Sequence, residues 1–121
     1  LGKNILTIYK RVSNILDQEI KKNNLIIKGN PDSILFKKDE EKILFEEING
    51  IRKYLTSNFK NENYEKTLEI FANSKKNTDN FFDNVIVNDK NESIKTNRLE
   101  LLKMFCMTLD NFIDFSKVEG S

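Results

Sequence analysis

The residue types that most often carry enzymatic chemistry are scarce in this sequence. It contains no histidine, so the usual general base and the imidazole metal ligand are both missing. Its glycines stand at positions 2, 29, 50 and 120, too scattered to form a phosphate-cradling loop. The one cysteine, Cys106, falls with Phe105 and Leu109 on an apolar helix face, where thiols are unreactive. We therefore expect no catalysis and no metal site, and a reducing, cytoplasmic setting.

Positive charge is concentrated in the first 28 residues, which have a local balance of +4 within a total of +1. At 100° per residue, four polar positions fall close to one line along the first predicted helix, with Arg11 beside them: Lys3, Lys10, Asn14 and Lys21. Such a ridge can neutralise nucleic-acid phosphates without reading base sequence. A solvated helix face often carries the same residues, so the ridge alone does not identify a function.

Apolar residues recur with the helical period along most of the chain. This pattern predicts an all-α protein, a bundle of four to six helices forming a single domain over residues 1–121. Helices are predicted at 2–22, 39–57, 62–75 and 91–115, with one helical turn at 32–36 and a short helix capped by Thr78. No run approaches the roughly 18 apolar residues of a membrane span. The chain begins with Leu rather than Met, so we expect a fragment of a longer subunit.

Three connecting segments depart from the helical period. Residues 25–27 are expected to form an extended apolar connector ahead of a turn at 28–31. Residues 85–87 are β-branched, but no second strand is available to pair with them, so helix or buried coil is expected there. Residues 89–92 resemble a capping box that opens the last helix.

Arg98 falls in the middle of the apolar face of the last predicted helix, between Ile94 and Leu101. A guanidinium in that position needs a paired carboxylate, because an unpaired buried charge is very costly. Asp83, which precedes the loop leading back to this helix, is the first choice of partner. We expect an Asp83–Arg98 ion pair that ties the loop to the helix. The alternative is that Arg98 contacts a nucleic-acid phosphate or base.

Residues 81–102, FFDNVIVNDKNESIKTNRLELL, contain two phenylalanines and an acid, an apolar run, an acidic loop, then Asn-Arg-Leu and a leucine-rich helix. Residues 9–16 read YKRVSNIL. Both stretches resemble the bacterial glycyl-tRNA synthetase beta subunit, the second through that subunit's Lys-Arg-Val/Ile-x-Asn-Ile-Leu. The resemblance implies a DALR-type anticodon-binding domain, an all-α bundle also found in arginyl-tRNA synthetase. The Asp-Ala-Leu-Arg tetrapeptide is missing here, so the arginyl domain stays an alternative, although the two motif blocks favour the glycyl enzyme.

The resemblance also implies partners and a division of labour. The domain would bind glycine-specific tRNA beside a separate catalytic alpha subunit, and the whole enzyme would use ATP while this fragment holds no cofactor and touches no membrane. Candidate tRNA contacts are the ridge residues and one position on the last helix: Lys3, Lys10, Arg11, Asn14, Lys21 and Lys95. Tyr9 and Gln18 are further candidates for contacting bases. The nine phenylalanines leave open a second function, a helical protein-interaction module.

Overall fold

The computed structural model describes residues 2–58 and 64–113, with side chains over 5–57 and 65–113. These residues form five α-helices and one 3-10 turn: α1 Gly2–Asn23, the turn Ser33–Leu35, α2 Asp39–Asn58, α3 Tyr64–Ala72, α4 Lys75–Asn84 and α5 Glu92–Phe112. No strand occurs within the described ranges, and the all-α prediction is confirmed. None of the described helices has the length and apolar character needed to cross a bilayer.

The last helix, α5, is the centre of the bundle. It packs against both α1 and α2, while α4 packs against α2, and α3 against α1 and, to a smaller extent, α2. Leu99 and Leu109 of α5 are fully buried, as are Val12 of α1 and Leu44 of α2. Burial on more than one side of α5 explains why so many of its positions are apolar. Phe112, at the end of the helix, is half-buried.

The third predicted helix, 62–75, is too long, because the chain turns after Ala72 and starts α4 at Lys75. Thr78 is not an N-cap but a buried residue inside α4, and its hydroxyl donates to the Ser74 carbonyl at 3.0 Å. That bond to the preceding turn satisfies the hydroxyl within the helix, so the residue needs no helix end. Residues 62 and 63 lie outside the described ranges.

The start of α5 is set by Asn91 rather than by the predicted capping box. The Asn91 side chain accepts the N–H groups of Ser93 at 2.9 Å and Ile94 at 3.2 Å, which the first turn of the helix leaves without partners. Asp89 instead accepts the Asn91 N–H at 2.8 Å and shapes the turn before it. α5 ends at Phe112, and residues 114 and 115 of the predicted helix lie outside the described ranges.

Two glycines offer a matched test of backbone conformation. Gly29 has φ +86°, and an added Cβ would lie 2.8 Å from Met107 Sδ and 3.3 Å from the Met104 backbone nitrogen. Gly50, inside α2, has nothing within 4 Å of an added Cβ. We expect Gly29→Ala to lower the free energy of unfolding by about 1–3 kcal/mol, and Gly50→Ala to raise it by about 0.5–1 kcal/mol. Urea denaturation of both variants checks this, and changes of the same sign would contradict it.

Glu47 joins α2 to α4 by accepting a hydrogen bond from Asn77 through Oε2. Its Oε1 is buried and has no partner in the described part of the chain. Burial raises the pKa of the carboxyl above its usual value, and the bond from Asn77 only partly offsets this. Because the pKa is higher in the folded than in the unfolded state, the protein loses stability as pH rises through the folded-state pKa.

The variant Glu47→Gln removes that ionisation and keeps an acceptor for Asn77. We expect it to raise the free energy of unfolding at pH 7 by up to about 1 kcal/mol, and to leave it unchanged at pH 4, where wild-type Glu47 is already protonated in the fold. Denaturant titrations at the two pH values measure the difference. Glu46→Gln, at the exposed neighbouring position, serves as the control. A loss of stability at pH 7 would contradict the prediction.

Candidate nucleic-acid interface

The ridge predicted from the sequence lies on the surface of α1. Lys10, Asn14 and Lys21 are exposed, with Arg11 beside them, while the opposite side of the helix is buried through Val12 and other apolar residues. Lys3 belongs to α1, but its side chain lies outside the described part of the structure. The amphipathic pattern therefore places these cations where a polyanion can reach them.

Arg11 is held in place by an aromatic ring of α4. Its guanidinium carbon lies 4.0 Å from the centroid of the half-buried Phe82 ring. A guanidinium lying over a ring gains cation–π stabilisation and keeps its edge N–H groups available for an anion. The contact joins the surfaces of α1 and α4 and reduces the freedom that Arg11 would lose on binding.

Lys95 does not belong to this exposed surface, contrary to the sequence prediction. It is 8% exposed, and its Nζ lies 3.0 Å from Glu19 Oε2 of α1. Burial opposes ionisation of Glu19, but the hydrogen bonds from Lys95 and Asn23 outweigh it and lower the pKa of that carboxyl. The reason is the packing of α1 along α5, which brings Glu19 from the apolar side of α1 against Lys95. This ion pair ties two helices together and keeps the Lys95 ammonium off the exposed ridge.

Tyr9 also connects α1 to α5. Its hydroxyl donates to Asp110 Oδ1 at 2.6 Å, and burial together with the bond to Asp110 raises the pKa of Tyr9 to about 12. The ring is half-buried, so Tyr9 joins the two helices while part of its side chain remains at the surface. Gln18 is exposed and remains accessible.

Arg98 is 3% exposed and bonded to acids, as predicted. The prediction that Asp83 is its partner is wrong. Its Nε lies 3.0 Å from Oε1 of Glu41, which is itself fully buried. Its Nη1 donates to the Ile86 carbonyl at 2.5 Å and to Asp89 Oδ2 at 3.4 Å. Asp83, on the last turn of α4, is exposed and is not among these partners in the described structure. The first turn of α2 supplies the carboxylate instead, so Arg98 links α2, α5 and the loop between α4 and α5.

The neighbours of Arg98 hold the connection between α1 and α2, which the sequence did not reveal. Asn97 accepts the Asp32 N–H at 2.6 Å and donates to the Asp32 carbonyl at 3.0 Å. Glu100 is half-buried and accepts N–H groups of residues 28–30 through Oε1 at 3.1, 2.6 and 2.8 Å. The Asn-Arg-Leu-Glu run at 97–100 is thus a structural clamp. The signal in the sequence was Arg98, which falls among the apolar residues of the last helix.

Comparisons with known proteins agree with this architecture. The model of the family described as "DALR anticodon binding domain" matches residues 5–119. The chain is 38% identical over 118 residues to the glycine--tRNA ligase beta subunit of Rickettsia prowazekii (strain Madrid E), covering 98% of this chain and 17% of that protein. The same values hold for the protein of that name from Rickettsia typhi (strain ATCC VR-144 / Wilmington). For the Rickettsia felis (strain ATCC VR-1525 / URRWXCal2) protein, identity is 37% over 117 residues, again covering 17% of its length.

The similarity to these relatives extends over nearly the whole of this chain, but the chain spans only 17% of their length. The family match likewise runs from α1 through the end of α5, so it includes both the basic helix and the clamp at 97–100. The five-helix bundle described above therefore belongs to the DALR anticodon-binding domain family.

Proposed function

We propose that this chain is the tRNA-binding domain of a glycine–tRNA ligase beta subunit. In this role it holds the anticodon region of glycine-specific tRNA while a separate catalytic alpha subunit attaches glycine. Membership of an anticodon-binding family carries the proposal, and the similarity to beta subunits of that name supports the amino-acid assignment. ATP and glycine would be used by the whole enzyme, in the cytoplasm, and this domain would contribute binding and positioning.

The exposed face of α1 is the surface we propose for tRNA backbone contacts. Lys10 and Lys21 are exposed, and no ion pair of either is found among the described residues. Arg11 adds an oriented guanidinium beside them. Cations free of carboxylate partners release condensed counterions when they meet phosphates, so this face gains affinity from a polyanion that it would not gain from a neutral protein surface.

Affinity for glycine tRNA at several salt concentrations tests this function in the complete synthetase. We expect the logarithm of the binding constant to fall linearly with the logarithm of salt between about 50 and 200 mM. Lys10→Ala and Lys21→Ala should each flatten the slope by roughly 0.7–0.9, the value for one lost phosphate contact. Lys53→Ala, on the exposed surface of α2, is the control and should leave the slope unchanged.

Two outcomes would count against the proposal. Unchanged slopes in both folded α1 variants would remove this helix from the interface. An unchanged affinity for glycine tRNA in a synthetase that lacks the whole domain would overturn the function itself.

A further inference from the structure

We infer that a second surface, a cleft at the start of α2, takes one unpaired RNA nucleotide, with its base against phenylalanine and its phosphate on lysine. The cleft has a volume of about 470 Å³ and lies between the 3-10 turn and the first turns of α2. That volume is within the usual range of small-ligand sites. The inference rests on the proposed function and adds a base-binding site to the backbone contacts of α1.

Two aromatic rings form the apolar wall of this cleft. Phe36 and Phe45 pack edge to face, with ring centroids 5.4 Å apart and an interplanar angle of 61°. Both side chains are half-buried and pack against the hydrophobic core, so each ring is held in place while part of it stays accessible. Unpaired bases bind proteins by stacking on such anchored rings, and stacking tolerates any base because every base has a π-face.

Three lysines surround the rings. Lys37, Lys38 and Lys42 line the cleft, and all three are exposed. None of the ion pairs found among the described residues involves them. A nucleotide stacked on the phenylalanines would place its 5′ or 3′ phosphate at the rim, where the ammonium groups can neutralise it. A nucleotide offers both a phosphate for the lysines and a base for the aromatic rings. A bare anion would use only the lysines, and an apolar peptide only the rings.

The backbone beneath the cleft is fixed by the buried ion pair described above. Glu41 uses Oε1 for Arg98 and Oε2 for the N–H groups of Lys37 and Lys38, at 2.8 and 2.9 Å. The segment that carries two of the lysines is therefore bonded to the core rather than free to move. A preformed site loses less conformational entropy on binding than a mobile loop would.

The remaining charged residues of the cleft indicate a base preference. Asp39 and Glu46 also line it, and both are exposed. Carboxylates accept hydrogen bonds from exocyclic amino groups, as they do from cytosine N4. They therefore favour cytosine, adenine or guanine over uracil, which has no amino group to donate.

The test uses the complete protein and an RNA hairpin with the sequence of the glycine tRNA anticodon stem-loop. Each loop nucleotide is replaced in turn by an abasic one. For wild-type protein we expect one loop position at which base removal weakens binding by about fivefold or more, the loss of one stacked base. In Phe36→Leu the same removal should have less than about a twofold effect, because the stacking surface is gone.

Lys42→Ala tests the phosphate contact without touching the core. We expect about a fourfold loss of affinity near 0.15 M salt and a salt slope flatter by roughly 0.7, the single-strand value. Lys53→Ala is the matched control, since eleven residues further on it lies on the same face of α2, about 16 Å away. It should leave the affinity for the hairpin unchanged.

The outcomes separate this inference from the proposed function. If Lys10→Ala and Lys21→Ala weaken binding while Lys42→Ala and Phe36→Leu do not, the cleft is overturned and the tRNA function stands. If Lys42→Ala weakens binding but no loop position couples to Phe36, the base-binding site is overturned and only a charged surface remains. If removing the whole domain leaves tRNA affinity unchanged, the proposed function fails and the inference fails with it.

Discussion

Replacing Arg98 with alanine is expected to lower the free energy of unfolding by about 3–5 kcal/mol. The variant leaves the Glu41 carboxylate buried without its guanidinium, and Glu41 is 0% exposed. It also removes the donor to the Ile86 carbonyl, which fixes the loop between α4 and α5. Urea denaturation followed by circular dichroism measures the loss. The measurement is made at low temperature, because a loss of this size is a large fraction of the stability of a small domain.

Two further variants test whether the buried Arg98–Glu41 ion pair accounts for this loss of stability. Asp83→Ala should change stability by less than about 0.5 kcal/mol, because Asp83 is exposed and is not among the bonded partners of Arg98 in the described structure. The double variant Arg98→Met with Glu41→Gln should lose less than Arg98→Ala alone, since no charge is then buried and the glutamine oxygen can still accept the N–H groups of Lys37 and Lys38. A loss of under about 1 kcal/mol for Arg98→Ala, typical of an exposed pair, would contradict the buried network.

Reversing two charges on α1, Lys10→Glu with Arg11→Glu, is expected to lower tRNA affinity by at least about 25-fold near 0.15 M salt. Each phosphate contact contributes about fivefold at that salt concentration through counterion release, and reversal adds repulsion to the loss. The fold should survive, because both residues are exposed. Arg11 also leaves the Phe82 ring, which costs about 0.5–1 kcal/mol of stability. Affinity is measured with glycine tRNA and the complete synthetase.

A second pair of adjacent exposed cations provides the control. Arg52→Glu with Lys53→Glu on α2 changes the net charge by the same amount at a different place. We expect it to weaken binding by only a fewfold, through the general field of the protein. Equal losses in the two double variants would show that net charge, and not the position of α1, determines tRNA affinity.

The sequence determined the helices and their apolar faces because the 3.6-residue period is a local property. It placed α1, α2 and α5 within a few residues of their observed bounds. It also required a partner for Arg98, since the same period puts that guanidinium among buried leucines. The family resemblance followed from residues 81–102 and 9–16, and the family match over residues 5–119 confirms it. Breaks between short helices were harder to predict from the sequence, and the turn between α3 and α4 was placed inside a single helix.

Which acid meets which cation was decided by the tertiary structure. Arg98 pairs with Glu41 from 57 positions away, and Lys95 with Glu19 from the opposite end of the chain. Glu100 reaches backbone N–H groups 70–72 positions distant. Helical periodicity gives the side of its own helix on which a residue lies, but not the neighbour that covers that side. That neighbour depends on how the helices cross. Arg98 therefore bonds an acid that is distant in the sequence but within hydrogen-bond distance in the fold, and not the nearby Asp83.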